Sequence, residues 1–128
     1  MYIYGNSDYD NDLQLDIGYS VSIRNCDIKF CNILIKDDSS VIGNTIEEGS
    51  ITISGDRNIV TDNILPESSI KLTLARFNTV ANNIISTGNI YLYDSSNQNI
   101  INNNKIIEST EPGIHLKDNC SFNLIVGN

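Results

Sequence analysis

The sequence predicts an all-β fold, a right-handed single-stranded parallel β-helix of about six coils, on three observations. A short motif, Ile/Val-x-x-Asn-x-Ile, recurs along the chain. An apolar-x-apolar pair precedes each copy. Good helix formers are scarce, with Ala75 and Ala81 the only alanines among 128 residues. Alternation with period two marks a strand with one buried face, and a strand so short cannot bury that face alone, so the repeats must stack on one another.

The motif reads Ile23-Cys26-Ile28, Val41-Asn44-Ile46, Ile59-Asp62-Ile64, Val80-Asn83-Ile85 and Ile101-Asn104-Ile106, with a last copy, Ile125-Asn128, cut off by the chain end. The preceding pairs are Leu13/Leu15, Ile33/Ile35, Ile51/Ile53, Ile70/Leu72, Ile90/Leu92 and Ile114/Leu116, in steps of 20, 18, 19, 20 and 24 residues. The Asn falls where the chain must bend, and its carboxamide can bond backbone groups that a corner leaves unpaired. A structural ladder of Asn44, Asp62, Asn83, Asn104 and Asn128 is therefore expected, with Asn78, Asn99 and Asn123 as a second row. Cys26 takes the ladder place in the first complete coil as a small buried residue. A leucine-rich repeat shares this period and an Asn ladder, but Ile dominates here and the shortest coils leave no room for a returning helix.

The length suits a single domain, read as an N-terminal cap over residues 1–12 and β-helix repeats over 13–128, the last coil incomplete. Sixteen acidic residues against eight basic ones give a net charge of −8, which repels phosphate backbones and anionic membranes. Nucleic acid is excluded as a partner. No apolar run is long enough to span a bilayer, and the first ten residues lack a signal core, so a soluble protein of the cytoplasm or of a virion or cell surface is expected. Cys26, Cys31 and Cys120 form no CxxC pair, which argues against a disulfide framework or a zinc site. Asp8, Asp10 and Asp12 have the spacing of a calcium loop without its glycine and closing Glu; a solvated acidic cap is expected, with calcium the only candidate cofactor.

The segments SVIGNTI, NIVTDNI, NTVANNI, NIINNNKI and NLIVGN resemble the β-helix repeats of the pectate-lyase-like superfamily, in particular the NosD-type repeats of carbohydrate-binding proteins and sugar hydrolases. The resemblance runs from about Leu13 to the end. It implies the architecture, and it implies relatives that range from lyases, hydrolases and epimerases to phage tailspikes and non-catalytic scaffolds. The motifs NTD, GHG, RIK and DPHD are absent.

Function is sought on the outward positions of the first strand in each coil. One row is expected to run Gln14, Leu34, Thr52, Lys71, Tyr91, His115, and the next Asp16, Lys36, Ser54, Thr73, Tyr93, Lys117. With coils about 4.8 Å apart, Lys71, Tyr91, Tyr93 and Lys117 are the candidate ligand-binding residues. Asp94, Asp118 and His115 at their edge are the candidate catalytic group. Asp at a strand end is more often a turn former, and Tyr on an outer face is as readily a plain β-former as a binding residue. Chemically mixed rows exclude ice binding. The insertion Glu108 to Gly113 is read as drift in coil length, with a groove wall as the alternative.

The expected function is thus a non-catalytic carbohydrate-binding or structural β-helix module, part of a larger surface or tail-type protein. The alternative is a polysaccharide hydrolase, lyase or epimerase. A glycan is the expected partner. A second copy or a further domain is expected at the open C-terminal coil.

Overall fold

A computed structural model describes residues 2–4, 13–109 and 111–128. Among the described residues, eighteen short strands wind into a parallel β-helix, right-handed as parallel crossovers are. Strand β1 (Tyr2–Tyr4) is followed by five full coils. The first is β2 (Leu13–Ile17), β3 (Ser22–Arg24) and β4 (Asp27–Lys29); the second is β5 (Cys31–Ile35), β6 (Ser40–Ile42) and β7 (Thr45–Glu47). The third is β8 (Ser50–Ile53), β9 (Ile59–Thr61) and β10 (Ile64–Leu65); the fourth is β11 (Ser69–Thr73), β12 (Thr79–Ala81) and β13 (Ile84–Ile85). The fifth is β14 (Ile90–Tyr93), β15 (Ile100–Asn102) and β16 (Lys105–Ile106), and β17 (Ile114–Leu116) and β18 (Leu124–Val126) open a sixth.

Corresponding strands form three parallel six-stranded sheets. Sheet I holds β2, β5, β8, β11, β14 and β17; sheet II holds β3, β6, β9, β12, β15 and β18; sheet III holds β1, β4, β7, β10, β13 and β16. Residues 2–4, assigned by sequence to a cap, thus add one more parallel strand to sheet III, with Ile3 opposite Ile28. The acidic triplet Asp8, Asp10 and Asp12 lies outside the described residues.

The core is a set of ladders. Ile28, Ile33, Ile35, Val41, Ile46, Ile51, Ile53, Val60, Leu65, Ile70, Leu72, Val80, Ile85, Ile90, Leu92 and Ile101 are fully buried, and each stacks on its equivalent in the next coil. Burying a Val, Leu or Ile side chain stabilises by roughly 1.5–3 kcal/mol, so the stack holds itself together without a second layer.

Carboxamides close the corner between sheets II and III. Asn63 Oδ1 accepts the Asn44 backbone N–H at 3.0 Å and the Asn44 Nδ2 at 3.1 Å, while Asn63 Nδ2 donates to the Val41 carbonyl at 2.9 Å. The same triple bond pattern carries through Asn83 and Asn104 to Asn128. Asp62 is not a rung, which corrects the register read from the sequence. Val60 pairs with Val41 and Val80 and points inward, so the third copy of the motif is Val60-Asn63-Leu65. Asp62 instead takes the left-handed turn position at φ 58°, which Asp tolerates better than most residues. A second ladder, Asn58, Asn78, Asn99 and Asn123, closes the corner between sheets I and II, with Ser39 below it.

Sheet I needs a second correction. Leu15 pairs with Ile33 and Ile17 with Ile35, so the first coil sits two residues along from the expected register. Leu13 pairs with Cys31.

Candidate functional site

The corrected register defines the outward rows of sheet I. The central row runs Asp16, Leu34, Thr52, Lys71, Tyr91, His115, with Asp16 rather than Gln14 at its start. Gln14 belongs to the neighbouring row with Asn32 and Ser50. Thr73 pairs with Tyr93 in the row beyond.

Tyr91, Tyr93 and His115 come together. The rings of Tyr91 and His115 stack across adjacent strands at 4.9 Å and 27°, and those of Tyr91 and Tyr93 stack along one strand at 5.5 Å and 11°. Tyr91 is the middle of the stack, and its hydroxyl accepts from Asn89 Nδ2 at 2.8 Å. Ring faces that the sequence reading offers to a sugar are thus partly used by other rings. Burial, then the negative charge of Tyr91, Glu111 and Asp118, pushes the Tyr93 phenol above its ordinary value, so it stays a hydrogen-bond donor at neutral pH.

Two walls flank this stack. On one side the insertion after β16 folds back over the strip: Ser109 Oγ donates to Asn89 Oδ1, and Glu111 Oε2 lies 3.6 Å from His115 Nε2. The loop is therefore more than drift in coil length. On the other side the corner between sheets I and II widens along the stack. From the last inward residue to the corner residue it spans Ile35–Ser39, then Ile53–Asn58, then Leu72–Asn78, then Leu92–Asn99. Each of these coils adds one residue, and Leu116–Asn123 in the sixth keeps the last span. Asp94 and Asp118 stand on this wider corner, exposed, both in left-handed turns at φ 50° and 60°. The Ser95 N–H donates to the Asp118 carbonyl at 2.8 Å, so the two turns are linked through backbone. That is the turn-forming role of Asp.

Lys71 lies beside Tyr91 and links the stack to a polar groove of about 490 Å³ over the earlier coils. Gln14, Asn32, Ser50, Thr52, Glu48 and Glu67 line that groove with it. Sequence reasoning missed Glu48 and Glu67, which occupy the same corner position one coil apart; the signal was the fixed five-residue step from Ile46 to Ile51 and from Leu65 to Ile70. Lys36, Lys71 and Lys117 make no ion pair among the described residues, whereas Lys29 pairs with Glu47 and Arg57 with Asp38. Among the described residues no three of His, Cys, Asp and Glu gather to hold a metal ion. No helix of the described residues is long and apolar enough to cross a membrane.

The fold and its exposed strip define a β-solenoid of the parallel β-helix class. The model of the NosD family, described as periplasmic copper-binding protein, matches residues 2–128, and the chain belongs to that family. No curated protein and no solved structure matches the chain.

Proposed function

We propose that this chain is a non-catalytic glycan-binding β-helix module, with the outward strip of sheet I as its binding surface. The observation that carries the reading is the walled aromatic stack of Tyr91, Tyr93 and His115, with Lys71 opposite Tyr91 on the next strand and Lys117, whose N–H donates to the Leu92 carbonyl, just after β17. Sugar sites combine aromatic surface with a few directional polar groups. Here Lys71, Lys117 and the protonated Tyr93 phenol donate, and the carboxylates of Glu48, Glu67, Asp94 and Asp118 on the two rims accept. Those rims repel a polyanion, so the ligand is a neutral, hydroxyl-rich glycan or one that calcium bridges to the carboxylates.

The family description names copper, and the described residues do not fit it. Copper sites draw on imidazole, thiolate and thioether ligands. The single His is stacked on Tyr91, Cys26 and Cys31 are buried in the stack, and Cys120 donates its thiol to the Lys117 carbonyl at 3.1 Å.

Calorimetry against neutral and uronic polysaccharides, with and without calcium, tests the proposal. Tyr91→Ala and His115→Ala should each weaken binding by about tenfold, or 1.4 kcal/mol, at an unchanged urea midpoint. A panel with no ligand, or variants that bind as the wild type does, would sink it. Cleavage of the bound glycan, lost in Asp94→Asn or Asp118→Asn, would replace it with a hydrolase or lyase reading.

A further inference from the structure

His115 is the one histidine of the chain, and its ring meets two different surfaces. One is the face of Tyr91, stacked on it at 4.9 Å. The other is the carboxylate of Glu111, whose Oε2 lies 3.6 Å from His115 Nε2. That nitrogen is buried and has no hydrogen-bond partner, although the side chain as a whole is 25 % exposed. The gap to Glu111 is too long for a hydrogen bond, and a buried polar atom left unpaired is costly.

Glu111 sits on an arm that is fastened on both sides. Before it, Ser109 Oγ donates to Asn89 Oδ1, and Asn89 Nδ2 donates to the Tyr91 hydroxyl at 2.8 Å. After it, the Gly113 carbonyl accepts the Ile90 N–H at 2.9 Å. Between these anchors the Glu111 carboxylate is 61 % exposed, and His115 is its one ion-pair contact among the described residues. The other charged and titratable groups around the ring are Lys117 and Asp118 after its own strand, Tyr91, Tyr93 and Asp94 on the coil before, Lys71 one strand beyond, and Glu108 at the start of the insertion. None of them makes an ion pair with His115 among the described residues.

We propose that Glu111 and His115 form a pH-operated latch on the aromatic stack, a regulation that rests on the glycan reading of that site. Histidine side chains ordinarily gain their proton between about pH 8 and pH 5. A charged Nε2–H then donates to Glu111, and a charge-assisted bond of about 2.7–2.9 Å needs a shift of only about 1 Å. The imidazolium also gains the attraction of the Tyr91 ring face. Glu111 is thereby drawn over the exposed edge of the ring at the end of the strip. The latch is shut in acid and released as pH rises.

Solvent-exchange NMR of the full chain without ligand tests the latch, and its outcome does not depend on glycan binding. Between about pH 8 and pH 5.5, the wild-type Glu111 and Gly113 amides should slow by about threefold relative to an unstructured peptide, the size expected of one partly exposed ion pair. The change should follow the His115 ring signal. Glu111→Gln, which keeps the shape and removes the charge, should show no such slowing. Rates that do not change in the wild type, or that change equally in Glu111→Gln, would overturn the proposal. Wild-type affinity for a neutral polysaccharide that binds in calorimetry should fall about threefold over the same range and stay level in Glu111→Gln. Affinity that rises in acid, or falls alike in both proteins, would overturn the latch as a control of the site, whereas a panel with no ligand overturns the glycan reading alone.

Discussion

The two faces of sheet I are built from the same six strands and obey opposite rules. Facing inward, the two rows that run through all six strands are Leu15, Ile33, Ile51, Ile70, Ile90, Ile114 and Ile17, Ile35, Ile53, Leu72, Leu92, Leu116, with no residue but Leu and Ile. Facing outward, one position apart, the central row runs Asp, Leu, Thr, Lys, Tyr, His. The inward side chain of each coil is the packing surface of the next, so its size and polarity are dictated by its neighbours. Outward side chains meet water and carry no such constraint. Stability is therefore written in repeats, and the candidate site lies in departures from them.

A charge placed on either face separates the two most sharply. Ile53→Asp puts an unpaired carboxylate into a fully buried row and should prevent folding, with a cost of several kcal/mol. Thr52→Asp, the adjacent residue on the outward row, should stay folded. Equal solubility and equal β-sheet signal in the two variants would break the comparison.

Gly88 marks a smaller effect at the inner edge of the third corner. A Cβ there would collide with the Ser68 carbonyl oxygen, a backbone atom that cannot swing aside. Gly88→Ala should lower stability by about 1–3 kcal/mol, whereas Thr87→Ala beside it, exposed, should change the urea midpoint little.

The smallest expected effect is an exposed rung. Arg57 donates to Asp38 through Nε at 2.7 Å and Nη2 at 2.9 Å, and this hydrogen-bonded guanidinium holds the Asp38 carboxyl below its ordinary value. A lowered folded value means that the contribution is complete above the ordinary carboxylate value of about 3.9 and is lost as pH falls through the lowered one. Thermal melts of wild type and Asp38→Asn should differ slightly at neutral pH and converge in stronger acid. A gap that widens on acidification would contradict the pairing. High salt should shrink it.

The stacking order was legible in the sequence because the inward rows repeat, and most of the ladder was legible with it. The two slips have one cause. In LQLDI three alternating apolar residues, Leu13, Leu15 and Ile17, fit the pair equally well, and only the pairing of Leu15 with Ile33 chooses among them. In IVTDNIL both Ile59-Asp62-Ile64 and Val60-Asn63-Leu65 satisfy the motif, and the inward direction of Val60 decides. The candidate site was legible as a cluster of rare residues near one end. Its ring-on-ring packing, its folded-back loop and the groove beside Lys71 were not, since they arise between coils of unequal length.

Neighbouring residues in that second slip give the most direct test of the claim that inward carboxamides hold the corners. Asn63 is fully buried, and its side chain bonds Asn44, Val41, Thr61 and Asn83, while Asp62 is exposed. Urea melts should show Asn63→Ala destabilised by about 2–3 kcal/mol, the cost of stranding buried partners, and Asp62→Asn within about 0.5 kcal/mol of the wild type. Equal midpoints for the two variants, or a larger loss at Asp62, would contradict the ladder.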